Sequence, residues 1–244
     1  MRTHVSVTIF GLLILQASWS AAQDRVRVDI SAGQQTTTTQ FSHAGTFEEF
    51  LENASFDVAN NVKTDAFYNA GFNVRLWRSL SAGLATSYFT KADSAAVQAA
   101  IPHPFFFDRP RAISGQGTGL KRTETGVHIV AAWTVAVTDR FELTFSGGPS
   151  VFQVQQDLVQ RVSYSQSYPY DAAQFTGVTS QRIRDHAVGG NAGADVTWRF
   201  SRHLGIGTAL RYSRAAVDAG IGSSGPTSFD VGGLHAGGGL RLIF

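Results

Sequence analysis

The sequence predicts an all-β fold, an eight-stranded antiparallel up-and-down barrel whose strands cross a membrane. Three features lead to this prediction: three tight hairpin turns, long polar stretches between them, and strands with one apolar face and one face of small and charged residues. An even number of strands, with both chain ends on the side of the short turns, allows the barrel to close.

Three short segments resemble one another and mark the tight turns. In each of them, 73–83, 135–143 and 197–206, an alternating run meets two or three polar residues before a second run begins. The stretches between them are rich in Ser, Thr, Asn, Gln, Pro and Gly. We interpret them as four longer extracellular loops opposite three short periplasmic turns. The predicted strands are 25–35, 64–76, 80–90, 123–137, 141–155, 185–200, 204–217 and 228–244, and the loops are 36–63, 91–122, 156–184 and 218–227.

The first residues have the features of a secretory signal peptide. A basic start at Arg2 is followed by the apolar run 5–15 and by small residues up to Ala22. The apolar run is shorter than the ~20 residues that a membrane-spanning helix needs. We therefore expect a signal peptide at 1–22 and a single mature barrel domain at 23–244.

The composition excludes several kinds of site. The absence of cysteine excludes disulfides and Cys-ligated metals. Lys+Arg total 20 against 18 Asp+Glu, so no basic surface for nucleic acid is expected. The seven histidines show no metal-ligand spacing, and neither nucleotide-binding fingerprint is present, so we expect no metal and no cofactor.

The two faces of the strands distinguish a membrane barrel from a soluble one. Neighbouring side chains of a strand point to opposite faces. In the sixth strand Val196 and Trp198 share one face, whereas Asp195, Thr197 and Arg199 share the other. Small residues with isolated charges suit a narrow lumen, so the apolar face is expected to point toward lipid. Outward-facing Tyr68, Tyr88 and Tyr212 each lie eight residues from a leucine beside a tight turn, about 20 Å away, which fits the spacing of two aromatic girdles.

The last strand ends in an alternating pattern that places Leu240, Leu242 and Phe244 on one face. This ending looks like the signal read by the outer-membrane assembly machinery. The chain therefore resembles the OmpA-type transmembrane domain and related small outer-membrane β-barrel proteins. The resemblance implies a location in the bacterial outer membrane, contact with its lipid and lipopolysaccharide, and insertion by that machinery. We expect a monomer, with no peptidoglycan-binding domain after Phe244.

The same parity predicts a set of charged side chains inside the barrel. Opposite charges can pair across a narrow lumen, which gives either a structural network or a gated, proton-responsive pore with histidine as the titrating group. We favour the structural network. The predicted inward residues are Arg27, Asp29, Arg75, Glu142, Asp195, Arg199, Arg211 and Arg241, together with His128 and His235.

Three functions are compatible with such a barrel. The leading hypothesis is a structural or surface-interaction protein with a plugged lumen. The alternative is a narrow channel for ions, small solutes or small apolar molecules, with a weak point in the wall where Pro149 removes a ladder hydrogen bond. Separately, a bulge near 147–149 would invert the parity of the fifth strand beyond it. A lipid-modifying enzyme is disfavoured, because His43, His103 and His186 lie near loop ends without a G-x-S-x-G motif. We therefore expect no catalytic site.

Two of the long loops carry distinctive segments. Residues 46–53 fit a helical turn capped by Thr46, with Glu49 three residues later. The second loop has three consecutive phenylalanines between prolines and basic residues. They are expected either to contact a partner or lipopolysaccharide, with arginines on phosphates, or to pack against Phe47, Phe50 and Leu51. The candidate contact residues are Phe105, Phe106, Phe107, Arg109 and Arg111.

Overall fold

The computed structural model describes residues 26–221 and 224–244. The predicted signal peptide and its cleavage site lie outside the described residues. No helix in the described part of the chain is long and apolar enough to cross a membrane. The strands are β1 Val26–Gln35, β2 Thr39–Glu49, β3 Glu52–Val62, β4 Asp65–Trp77, β5 Leu80–Ile101, β6 Arg111–Ala136, β7 Phe141–Gln166, β8 Ala173–Arg199, β9 Leu204–Ile221 and β10 Ser224–Ile243.

Eight of these strands form a closed ring. β1 pairs with β10 on one side and with β4 on the other, and β5 pairs with both β4 and β6. Every pairing is antiparallel, and the ring continues from β6 through β7, β8 and β9 to β10. The fold is therefore the predicted eight-stranded up-and-down transmembrane barrel. The tight turns follow β4, β6 and β8, within the three predicted segments.

The first long loop is a β-hairpin, so the predicted helical turn at 46–53 is wrong. β2 and β3 pair along their whole length, and the chain reverses at Phe50 and Leu51, which have φ angles of 51° and 66°. β3 then pairs with the outer part of β5, from Ser55 opposite Ala100 to Asn60 opposite Ala95. Pairing along two strands overrides the local capping pattern, since helix propensity is a weak preference that tertiary contacts readily override.

Most of the next two predicted loops are also strands. β5 and β6 continue to a short connection at 102–110, and β7 and β8 continue to one at 167–172. We call residues 39–62, 90–125 and 153–186 the extracellular extension, because they prolong the barrel wall beyond its apolar outer band. The strands therefore reach up to 27 residues, more than twice the ~10 needed to cross a bilayer.

The interior contains two apolar clusters. The first lies in the upper lumen, and we call it the lumen plug: Phe41, Val62, Phe67, Phe89, Phe152, Val154, Leu158, Ala187, Ala215, Val217, Phe229 and Val231. The second lies inside the extracellular extension, and we call it the extension core: Ala54, Phe56, Val58, Ala95, Val97, Ala99, Ile101, Ile113, Leu120, Val159 and Val162. The hairpin contributes to both clusters, so it is part of the packed structure.

The outer face carries the apolar band that the parity predicted. Tyr68 lies directly opposite Tyr88 on the neighbouring strand, and both are exposed on the outside. At the other end of the band, Trp77, Phe141 and Trp198 are also exposed. Aromatic side chains at two heights are typical of the two interfaces of a membrane.

At Pro149 the pairing of β7 with β6 is interrupted over Gly148 and Pro149, as expected where a proline removes a ladder hydrogen bond, whereas the pairing with β8 continues. Gly147 lies opposite Ala131 and Ser150 opposite His128, so the register of β7 against β6 is the same on both sides of the proline. The Asn191 side chain donates to the Gly148 carbonyl over 2.9 Å. No bulge inverts the parity here, and Phe152 points inward as Glu142 does.

Candidate functional site

The charged residues of the lower lumen meet around Asp195. Its carboxylate accepts hydrogen bonds from Arg27 Nη2 over 2.7 Å and from Thr197 Oγ1 over 2.6 Å. Its second oxygen pairs with Arg241 Nη2. Three donors from three strands thus converge on one carboxylate, which crosslinks the ring from β1 to β8 and β10.

A second carboxylate shares the same two arginines. Arg27 Nε donates to Asp29 Oδ1 over 2.7 Å, and Arg241 Nε lies 3.1 Å from that oxygen. Asn73 donates to the other oxygen over 3.2 Å. Arg241 is almost completely buried, so these two aspartates compensate a charge that is removed from bulk water.

Glu142 extends the ion pairs toward the short turns. Arg199 Nε lies 3.3 Å from Glu142 Oε1, and Arg27 Nη1 lies 3.9 Å from Oε2. Arg199 also donates to the Asp139 carbonyl in the β6–β7 turn. This pair therefore ties the lumen to the turn beside it.

Two of the predicted inward arginines, Arg211 and Arg75, have no carboxylate oxygen within 4 Å in the described part of the chain, although the charges of Asp29 and Asp195 act on Arg211. Arg211 donates to the amide oxygen of Asn69 over 2.5 Å. Arg75 lines the lumen two residues before the end of β4. All eight of the predicted charged residues line one cavity in the lower lumen, with an open volume of about 1220 Å³ that includes solvent at its mouth.

Above the charges lies a layer of buried histidines. His128 Nδ1 is 2.8 Å from Ser150 Oγ, and its Nε2 is 2.9 Å from Ser87 Oγ. His235 Nε2 is 3.0 Å from the Gln35 side-chain oxygen, and the ring stacks on Phe67 with 3.9 Å between centroids. Both rings are packed between neutral partners.

A buried ion pair that the sequence did not predict, Arg122 with Glu124, lies at the level of the lumen plug. Arg122 Nε donates to Glu124 over 2.6 Å, and Arg122 Nη2 donates to the Asp230 carbonyl over 2.7 Å. The Gly232 amide donates to Glu124 over 2.9 Å, and the guanidinium lies 5.0 Å from the centre of the Phe229 ring. The sequence could have indicated this pair, because Arg122 and Glu124 have the same parity on β6 as inward-facing His128. The predicted strand began at 123, however, and therefore left Arg122 in a loop.

The phenylalanines of the second loop lie at the outer end of the molecule. Phe105, Phe106 and Phe107 are 68%, 55% and 72% exposed. The amide of Asp108 donates to Glu52 at the tip of the β2–β3 hairpin, where Leu51 is 85% exposed. The loop therefore lies beside the hairpin, but its phenyl rings face outward instead of packing on the hairpin's apolar side chains.

The two arginines of this loop have different surroundings. Arg109 is exposed, lies 3.6 Å from Asp171 and sits over the Phe106 ring. Arg111 is buried and donates to the Pro102 carbonyl over 2.7 Å and to Gln166 over 2.6 Å. Two of the guanidinium nitrogens of Arg111 thus hold the base of the loop, and its contact with a phosphate stays a prediction.

The three histidines considered for a rim enzyme are separate from one another. His43 is buried against Asn60 and the Val159 carbonyl, and burial lowers its pKa. His103 is buried 4.0 Å from Asp171, and His186 is exposed on β8. Within the described ranges, no three His, Asp or Glu side chains form a group that could hold a metal ion.

The residues of the predicted assembly signal lie on the outside of the last strand. Leu240 and Phe244 are exposed to the surroundings of the barrel. The Phe244 amide and carbonyl exchange hydrogen bonds with Val26, at 2.8 and 2.9 Å, where the two ends of the chain close the ring. Recognition of Leu240, Leu242 and Phe244 by an assembly machinery stays a prediction.

Neither a protein-family model nor a curated protein matches this sequence. Among solved structures, the chain is similar to the outer membrane protein OprG from Pseudomonas aeruginosa, with 10% identity, a TM-score of 0.47 and coverage of 91% of this chain and 97% of that one. It is similar to Neisserial surface protein A at 10% identity, TM-score 0.42, with 90% and 97% covered. It is also similar to the outer membrane protease OmpT from Escherichia coli, with 9% identity, a TM-score of 0.44 and coverage of 93% of this chain and 99% of that one. The resemblance to the OmpA-type domain stays a prediction.

Proposed function

We propose that this protein is a non-conducting barrel of the bacterial outer membrane that presents a folded extension for interactions at the cell surface. The observation that carries the proposal is the pair of apolar clusters, the lumen plug and the extension core, that occupy the interior of the upper barrel and of the extension. A water-filled pore needs a polar path through the barrel, and this packing interrupts it.

The outer tip supports an interaction role. Exposed Phe105, Phe106 and Phe107 form an apolar surface beside Leu51 at the end of a well-packed extension. Exposed apolar surface of this kind is typical of contact sites. Because Arg111 fixes the base of the loop, the rings are presented on a stable support, and we propose that they contact an apolar surface of a partner.

The outer-membrane setting supplies further partners. The apolar band faces membrane lipid, and exposed Arg184 and His186 lie just above the outward-facing Val188. Basic side chains at this height fit the phosphates of lipopolysaccharide. We also keep insertion by the assembly machinery and a monomeric state as parts of the proposal.

Single-channel conductance in a planar bilayer tests the closed lumen. The refolded mature protein and its Arg75→Ala and Glu142→Ala variants are all expected to be silent, because the lumen plug lies above both residues. A steady conductance that changes in these variants would favour the narrow channel and place its constriction in the charged network.

The tip is tested by replacing Phe105, Phe106 and Phe107 together with serine. Cells that display this variant are expected to adhere less to an alkyl-coated surface than cells that display the original protein. Gln98→Ser with Gln116→Ser is the control, since both glutamines face outward on the extension away from the tip. Unchanged adhesion of the serine variant would contradict the proposed role of the phenylalanines.

A further inference from the structure

Among the described side chains that line the cavity of the lower lumen, positive charges outnumber negative ones. Five are arginines and three are carboxylates: Arg27, Arg75, Arg199, Arg211 and Arg241 against Asp29, Glu142 and Asp195. The histidine at its closed end is packed on Phe67 and bonded to neutral Gln35. The described part of the lining therefore has two positive charges in excess.

The carboxylates are already shared among other arginines. Asp29 and Asp195 each pair with Arg27 and Arg241, and Glu142 pairs with Arg199 and Arg27. Within the described ranges, no carboxylate oxygen lies within 4 Å of the guanidinium nitrogens of Arg211 or Arg75. Arg211 and Arg75 are thus the arginines of this lining without a direct carboxylate partner among the described residues, although the charges of Asp29 and Asp195 act on Arg211 at longer range.

Of these two arginines, Arg211 has the greater need of a compensating partner. It lies on β9 opposite His235, toward the closed end of the cavity, and it donates a hydrogen bond to the neutral side-chain amide of Asn69. A guanidinium removed from bulk water is unfavourable unless an anion or several hydrogen bonds compensate it. Its planar array of donors matches the oxygens of a phosphate or carboxylate.

The cavity opens toward the short turns. Val26, Ser79 and Arg199 line the end near the turns, whereas Phe67 and His235 lie at the other end, beneath the lumen plug. An anion can therefore enter only from the periplasmic side. Arg75 lies near this mouth, where its charge attracts an approaching anion.

We propose that the lower lumen is a binding site for a small oxyanion that enters from the periplasm and pairs with Arg211, with Arg75 assisting entry. The site is independent of the surface role proposed above, since it lies on the opposite side of the lumen plug. A free ion such as inorganic phosphate has the size and oxygen geometry that the site requires.

Calorimetric titration of the refolded barrel with inorganic phosphate tests the site, at an ionic strength held constant with chloride. We expect saturable binding, weakened about tenfold or more in Arg211→Gln, because a hydrogen-bonded charge pair is lost. Arg75→Gln is expected to weaken binding by a smaller factor. Arg184→Gln is the matched control, because it removes the same charge from the exposed outer face of β8.

Acetate and chloride titrations show which anions the site accepts. Binding of phosphate but not of chloride at equal concentration supports an oxyanion site, and acetate tells whether a carboxylate is sufficient. The proposal is overturned if phosphate shows no saturable binding, or if Arg184→Gln weakens binding as much as Arg211→Gln does. If Arg211→Gln does not refold, unchanged binding in Arg75→Gln likewise contradicts it.

Discussion

The membrane-spanning part of the barrel and the extracellular extension are built from the same strands but have opposite interiors. Along β6, the inward side chains of the lower part include His128 and Thr134, whereas Ile113 and Leu120 point inward in the extension. The outward side chains change in the reverse sense, from Ile129 and others facing lipid to polar Gln116.

The surroundings explain this inversion. Lipid on the outside makes apolar side chains favourable there, and the lumen then holds the polar groups, which must satisfy one another. Above the membrane the outside is water, so burial of apolar surface again stabilises the interior. One strand therefore serves two environments by exchanging the character of its faces at the interface.

The first way to test this comparison is to damage the polar interior. Asp195→Asn is expected to destabilise the barrel by about 3 kcal/mol, because it leaves Arg27 and Arg241 in the lumen with one carboxylate fewer. The change is measured as a shift in the urea midpoint of refolded protein in lipid vesicles. An unchanged midpoint would mean that water in the cavity replaces the carboxylate.

Outward positions in the two regions should respond differently to the same charge. Ile129→Arg is expected to cost about 2–4 kcal/mol, since Ile129 faces lipid midway between the two aromatic levels. Gln116→Arg, on the same strand and the same side, is expected to stay within about 0.5 kcal/mol of the original protein. Equal effects in urea unfolding would show that the apolar band extends over the extension.

The smallest expected effect is a pH dependence confined to the extension. His43 accepts from Asn60 at one ring nitrogen and faces the Val159 carbonyl with the other, and burial holds its pKa below the ordinary 6.5. Because the unfolded hairpin takes up the proton more readily, the stability that neutral His43 provides is present above pH 6.5 and is lost as the pH falls below it.

Limited proteolysis of the β2–β3 hairpin at pH 7.5 and pH 5 measures this effect. Cleavage is expected to be faster at the lower pH, whereas His43→Gln should be cleaved at similar rates at both. A rate for the original protein that does not depend on pH would show that His43 does not control the hairpin.

Much of the barrel was predictable because residues that are close together in the sequence encode its turns and the faces of its strands. Each tight turn is encoded within about ten residues, and a period of two fixes the face of each side chain once a strand is identified. Thus the strand starts and ends at the short turns agree with the structure to within one residue from β4 to β10. The inward direction of Asp195 and Arg241 follows from the same rule.

The extension was not predicted because its pairing is long-range. Ala54, Phe56 and Val58 do alternate, but the outer strands are rich in Ser, Thr, Asn and Gln, which also suit loops. Only contact with β5 makes β3 a strand. In the same way, the sequence allowed the Phe105–Phe107 segment either to face outward or to pack on the first loop. In the structure the rings face outward, and Arg111 holds the base of their loop.

By itself, the sequence determined the number of spanning strands, their connections and the two faces of the wall. The tertiary structure alone decided which charges pair, that the hairpin of β2 and β3 completes the lumen plug, and that Arg211 and Arg75 form no direct ion pair with a carboxylate of the described residues. Periodicity specifies which way a side chain points, whereas pairing across the lumen depends on the register and tilt of strands that are far apart in the chain.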